Sequence, residues 1–96
     1  MKKYSRENLV KVETFVEEFN INGSINTEFN VDEIPLEQLQ SIFKCEYGDD
    51  ELYLTYEIDE SMASQINMLL KTPINFDFSK YSYDLQRYGE YKDVRD

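Results

Sequence analysis

The stretch LVKVETFVEEFNINGSINTEFNV, residues 9–31, decides the fold. Val10, Val12, Thr14 and Val16 alternate with Lys11, Glu13 and Glu17, which is the period of two that a strand with one covered face requires. Phe15, Phe19 and Ile21 fall on the opposite parity. Either both faces of the strand are partly covered, or a bulge near Glu17 and Glu18 switches the register, and the bulge is the preferred expectation. Asn22-Gly23 follows, and because both residues tolerate positive φ the pair predicts a two-residue type I′ turn. Beyond it SINTEFNV, residues 24–31, places Ile25, Thr27, Phe29 and Val31 on one side and Ser24, Asn26, Glu28 and Asn30 on the other. A β-hairpin is expected over residues 9–31.

The elements that follow give the hairpin its partners. Pro35 suits the first turn of a helix, and Leu36, Leu39, Ile42 and Phe43 form its apolar stripe, so a short helix is expected over about 35–44, ending before Gly48. ELYLTYEI, residues 51–58, alternates cleanly and predicts a third strand, with Leu52, Leu54, Tyr56 and Ile58 inward and Glu51, Tyr53, Thr55 and Glu57 outward. Asp59 is a fitting N-cap for a second helix over 60–71, with Met62, Ile66, Leu69 and Leu70 inward, Lys71 at its C-terminal end and Pro73 stopping it. Ile74, Phe76 and Phe78 then alternate as a strand does. After Ser79, Tyr81, Tyr83 and Leu85 fit a strand while Tyr81, Leu85 and Tyr88 fit a helix. High aromatic density and few helix formers favour an extended strand through Leu85, with residues 80–91 open to either reading.

The order is β-β-α-β-α-β, an α+β fold with two helices on one face of a small, mainly antiparallel sheet. Its other face is left half open. At 96 residues the chain is expected to form a single domain, 1–96, with residues 92–96 frayed.

Charge is distributed unevenly along this framework. Residues 13–70 hold 14 acids against Lys44 alone, whereas residues 71–96 hold five bases and five acids, and the net charge of the chain is -10. A field of this sign repels phosphate backbones and anionic membranes and draws basic partners, so neither nucleic acid nor membrane is an expected target. Solubility alone is the plainer reading of the same charge.

Several chemistries lack their residues. There is no histidine, which removes the commonest general base and transition-metal ligand, and three glycines build no phosphate-cradling loop. Paired carboxylates could in principle cleave glycosides, but so small a domain offers little cleft to raise one pKa. Asp49 to Glu60 spans a calcium-loop length with acids at its first, third, ninth and twelfth positions, yet Leu54 stands where the sharp turn wants glycine. No enzyme, metal or cofactor is expected. Cys45 is the lone cysteine, which forbids an internal disulfide and suits a half-buried structural role; with no apolar run of signal-peptide or membrane-span length, a cytoplasmic protein is expected.

Recognition of another protein remains. CEYGDDELYLTYEIDE, residues 45–60, carries seven carboxylates, three tyrosines and no base. Sorted by parity, Leu52, Leu54, Tyr56 and Ile58 belong to the core and Asp59 to a helix cap. That leaves Glu46, Asp49, Asp50 and Glu51 at the turn, Tyr53 and Glu57 on the outer face and Glu60 at the helix start for a partner. Tyrosine among carboxylates suits an interface with a basic protein.

The same residues carry a resemblance. IPLEQLQSIF with Leu36, Leu39 and Phe43, then Asp49, Asp50 and Tyr56, then Ile74, Phe76, Asp77, Tyr81 and Tyr83 resemble a family of small bacterial proteins that look like immunity proteins of polymorphic toxin and contact-dependent growth inhibition systems. The resemblance spans roughly residues 25–85. It implies a cytoplasmic, non-catalytic inhibitor, monomeric in its complex, that binds a cognate toxin domain, often a basic nuclease. The alternative is an acidic nucleic-acid mimic that occupies a DNA- or RNA-binding protein; acids in a long stripe favour that mimicry, and a compact patch among aromatics favours a toxin interface.

Overall fold

The computed structural model describes residues 9–91, with side chains from 11 to 89. The expected fraying of 92–96 lies outside the described residues. The elements are β1 (Leu9–Phe19), β2 (Ile25–Asn30), α1 (Leu36–Ile42), β3 (Tyr56–Glu57), α2 (Glu60–Leu69) and β4 (Ser82–Tyr91). They form one four-stranded sheet, ordered β2-β1-β4-β3, in which every neighbouring pair is antiparallel. This is the expected α+β arrangement.

Register explains the core. Val16 lies opposite Phe29 on one side and Leu85 on the other, and Leu85 lies opposite Tyr56. Directly opposed residues project to the same face. Phe29, Val16, Leu85 and Tyr56 therefore form one apolar row, which packs with Leu39 and Phe43 of the first helical segment and Ala63 and Ile66 of the second. The Phe43 and Tyr56 rings meet edge to face at 6.1 Å. Both helices cover this face of the sheet.

Local chemistry sets the ends of the elements. Asp59 caps α2 as expected, its Oδ1 accepting from the Met62 N–H at 2.8 Å. Beyond Pro73, the Asn67 side chain clamps the departing chain: its amide donates to the Ile74 carbonyl and its Oδ1 accepts from the Ile74 N–H, each at 2.8 Å.

Several expectations are corrected. The second helix ends at Leu69 and not at 71, and Leu69, expected inward, is exposed. The hairpin loop has three residues, Ile21–Gly23, because Asn20 N–H reaches the Ser24 carbonyl at 2.8 Å and Gly23 N–H the Asn20 carbonyl at 2.9 Å. Only Gly23 takes positive φ there (88°), while the Asn22 side chain accepts from the Ser24 N–H, so the turn is not type I′. The bulge opposite Glu18 and Phe19 sits on β2, at Asn26, skipped between Thr27 and Ile25, and not on β1; β1 keeps its register from Lys11 to Phe19 against β4, so Phe15 and Phe19 stay on the face opposite Val16.

The third strand shrinks from 51–58 to Tyr56–Glu57. Asp49 Oδ1 accepts from the Tyr53 N–H at 2.8 Å and Oδ2 from the Leu54 N–H at 2.9 Å, and Leu52 takes φ 58°, so this backbone is committed to a loop before a ladder can form. Leu54, expected inward, is 52% exposed. The last strand begins at Ser82 rather than Ile74, because Asp77 gathers a turn: its carbonyl accepts from the N–H groups of Lys80 and Tyr81, and its Oδ1 from Ser79. Phe76 and Phe78 instead pack around Tyr83, at 4.8 and 5.1 Å between centroids. From Ser82 the chain is strand and not helix, since β1 offers it a partner as far as Tyr91.

Candidate protein-interaction surface

The face opposite the helices carries Glu13, Phe15, Glu17 and Phe19 from β1 and Ser82, Asp84, Gln86 and Tyr88 from β4. Across it, Glu28 opposes Glu17, Glu17 opposes Asp84, and Asp84 opposes Glu57. Each of the four strands thus contributes one carboxylate to a single row. At the spacing of neighbouring strands the row is about 14 Å long.

The ladder's phase fixes which neighbours crowd most. Ile58 N–H donates to the Tyr83 carbonyl at 2.9 Å, which makes Asp84 and Glu57 a non-hydrogen-bonded pair, the closer kind. Burial raises the Asp84 pKa above its ordinary value, and the charges of Glu57 and then Glu17 raise it further. Glu17 is buried although it stands on the open face. The Tyr88 hydroxyl donates to Glu17 Oε2 at 2.7 Å, while the Tyr88 ring meets Phe15 edge to face at 5.9 Å. Burial, then this bond and the charges of Glu17 and Glu28, push the Tyr88 phenol up to about 12.

Aromatic and aliphatic groups flank the row on both sides. Phe15 and the 46% exposed Tyr88 lie beyond one edge, and Phe19 with Ile25, 50% exposed and directly opposite it, lies beyond the other. A band of negative charge between apolar strips can meet cations and bury apolar area together. The four carboxylates are aligned and not convergent; among the described residues no three acidic or thiol groups gather as metal ligands do.

The residues singled out from the sequence divide between two places. Glu57 stands in the row. Asp49, Asp50, Glu51 and Tyr53 occupy the loop before β3, which β4 grips through Arg87. That guanidinium lies 5.4 Å from the Tyr53 ring centre and donates to the Glu51 carbonyl and, at 3.2 Å, to Thr14 Oγ1. Thr14 and Arg87 are paired on the helix-covered face, whereas Gln86, on the open face, accepts from the Thr55 hydroxyl at 2.5 Å and donates to the Tyr53 carbonyl at 3.4 Å, so the loop runs along the edge of β4 beside the row and is not part of it.

Within the loop, Asp49 is turned inward. It accepts from the Tyr56 hydroxyl at 2.6 Å as well as from its two backbone donors. Burial pushes its pKa up, but the bonds from Tyr56, Leu54 and Tyr53 and the nearby Arg87 outweigh this and hold it below the usual value. Glu46 is exposed, its N–H donating to the Tyr56 oxygen at 3.0 Å, and Asp50 is exposed with its carbonyl accepting from Gln40 at 2.5 Å. Glu60 is exposed at the start of α2.

Glu28, Glu17 and Asp84 were not singled out from the sequence as a site. Alternation places each on a face, but only pairing across three strands puts them in line. Glu18 is a further surprise: buried on the helix-covered face, it accepts from the Tyr83 hydroxyl at 2.6 Å and the Asn26 amide at 2.7 Å.

Among the described residues no helix is long and apolar enough to cross a membrane. No curated protein and no solved structure matches the chain. Residues 13–86, from β1 into β4, match the family model of a domain of unknown function, DUF7683, and the chain belongs to that family.

Proposed function

We propose that this chain is a stoichiometric inhibitor of the immunity type, which binds a basic toxin domain through the open face of its sheet. The observation that carries this reading is the row Glu28, Glu17, Asp84 and Glu57 between strips of half-buried and exposed apolar groups. Four like charges held at strand spacing are unfavourable to one another, and a fold keeps such an arrangement at a cost that a cationic partner relieves. Lysine and arginine side chains of the partner meet the row while Phe15, Phe19, Ile25 and Tyr88 supply the apolar contact. The net charge of -10 steers the encounter.

The row supports the toxin reading over nucleic-acid mimicry because it is short and framed by aromatic groups, whereas a mimic needs acids along an extended path. The inhibitor acts without catalysis, in the cytoplasm, as a monomer in the complex, by covering the toxin's active site or a surface beside it. The resemblance to immunity proteins points the same way.

The test pairs this chain with the protein encoded immediately upstream of it. Co-expression should rescue growth from that protein's C-terminal domain, and the two should purify as a one-to-one complex. Association should slow as salt rises, and Glu28→Lys, Asp84→Lys and Glu57→Lys together should slow it further at low salt. An association rate indifferent to both salt and these reversals removes the proposal.

A further inference from the structure

The sheet ends at β2, and among the described residues no strand pairs with its outer edge. The phase of the hairpin shows which backbone groups that edge presents. Val31 N–H donates to the Thr14 carbonyl at 2.9 Å, so the bonded pairs that follow along β1 and β2 are Val16 with Phe29 and Glu18 with Thr27. Phe29 and Thr27 turn their N–H and C=O groups inward to β1. Those of Glu28 and Asn30 point outward.

A groove of about 420 Å³ runs beside this edge on the helix side, walled by Phe29 and by Leu70, Pro73 and Ile74 of the chain that leaves α2, with Glu28 and Glu33 on its rim. Its far wall is held in place by the Asn67 clamp on Ile74 and by the Lys71 N–H, which donates to Glu33 Oε2 at 3.1 Å. Free strand backbone beside an apolar groove is the arrangement that binds an extended segment: the main chain supplies hydrogen bonds, and alternate side chains enter the groove.

We infer that β2 is a strand-addition edge, and that an extended segment of a basic partner pairs with it, setting alternate side chains of two kinds on its two faces. Residues of the added strand opposite Glu28 lie on the open face, where lysine or arginine continues the carboxylate row as a fifth rung of opposite sign. Their neighbours in sequence point to the helix side, where apolar side chains enter the groove between Phe29 and Ile74. The occupant is therefore a segment that alternates basic with apolar residues. A second copy of this chain is a poor occupant, because each copy carries a net charge of -10 and edge pairing would set two four-carboxylate rows end to end. The inference rests on the reading that the partner is basic and meets the open face, and it adds the edge to that surface.

The test titrates the isotope-labelled protein with a short synthetic peptide alternating Lys and Val, and with a control of the same composition whose Lys and Val residues stand in two blocks. The alternating peptide should shift the amide resonances of Glu28 and Asn30 and slow their hydrogen exchange, and the block peptide should not. Glu28→Pro removes an outward N–H without touching a bond to β1 and should weaken binding at least about tenfold relative to Glu28→Gln. Thr72→Trp, which fills the groove from an exposed position, should weaken it similarly with the edge intact. Shifts confined to Glu17, Asp84 and Glu57, with the edge amides unchanged, overturn the strand addition while leaving the open-face surface standing. No shift with either peptide overturns both, and self-association through β2 overturns the choice of a basic partner.

Discussion

Asp84→Asn should stabilise this protein. Asp84 stands between Glu17 and Glu57 in the carboxylate row, the Glu57 pairing being the closer. For directly opposed side chains about 5 Å apart, a like-charge pair costs ~1 kcal/mol in water-like surroundings and ~3 kcal/mol at an effective dielectric near 20. Ionic screening and the Tyr88 bond that already holds Glu17 bring the sum over both neighbours to the lower end, about 1 kcal/mol. Asparagine keeps the shape and removes the charge, so thermal unfolding followed by circular dichroism should rise by about 4–8 °C near neutral pH.

The pH dependence carries the sharper test. Asp84 has a folded-state pKa above its ordinary value, so the native state holds this proton more tightly than the unfolded chain does. Its destabilising effect is therefore absent below the ordinary carboxylate value and grows as pH rises through the raised one. The gain from Asp84→Asn should vanish by about pH 3 and shrink at high salt. A gain of equal size at low and neutral pH, or none near neutrality, refutes the row as a set of mutually repelling charges.

Three other outcomes follow from named contacts. Asp49→Asn should cost about 1–2 kcal/mol in urea unfolding and speed hydrogen exchange at Tyr53 and Leu54, whose N–H groups the carboxylate binds. Because the folded pKa of Asp49 is lowered, the stability it supplies is present above its ordinary value and is lost as pH falls through the lowered one, the reverse of Asp84. Tyr83→Phe should cost about 2 kcal/mol or more in the same assay, since it leaves the buried Glu18 one donor short and the Asp77 N–H without its 2.9 Å acceptor. In the unmutated protein that phenol, pushed up to about 12 by burial and then by Glu18, should not ionise in an ultraviolet titration where free tyrosine does. Arg87→Gln should loosen residues 49–55 selectively, with exchange there rising while the β1–β2 amides hold, because the guanidinium ties the Glu51 carbonyl and the Tyr53 ring to Thr14 on β1.

Much of the framework was legible from residue pattern. The alternation in 9–31 defined the two strands and their inward sides, except at Ile25, which was expected beside Phe29 and which the bulge at Asn26 turns to the open face. Even with the loop type misread, a two-residue turn places Glu17 opposite Glu28, their observed pairing, because the extra residue in the real loop is offset by the bulge at Asn26. Asp59 as a cap is local chemistry, carried by one side chain and its immediate backbone. Such features read directly because their physical cause lies within a few residues of where they act.

The loop before β3 was less legible, for a reason visible in Asp49. Leu52, Leu54, Tyr56 and Ile58 alternate as a strand does, but one carboxylate that captures two N–H groups and a hydroxyl, with Arg87 gripping from β4, outcompetes a ladder at the sheet's edge. The candidate surface shifted for a similar reason. The longest acidic stretch, 45–60, supplies one carboxylate to the row, and the other three come one each from β1, β2 and β4.

By itself the sequence determined the class of fold, the hairpin, the Asp59 cap and the acidity of the chain, each set by side-chain period, local side-chain chemistry or charge count. Only the tertiary structure decided where that acidity acts. Which carboxylates stand side by side depends on the order and register of strands far apart in the chain, and that order is settled by how the whole apolar face packs, not by any one segment's pattern.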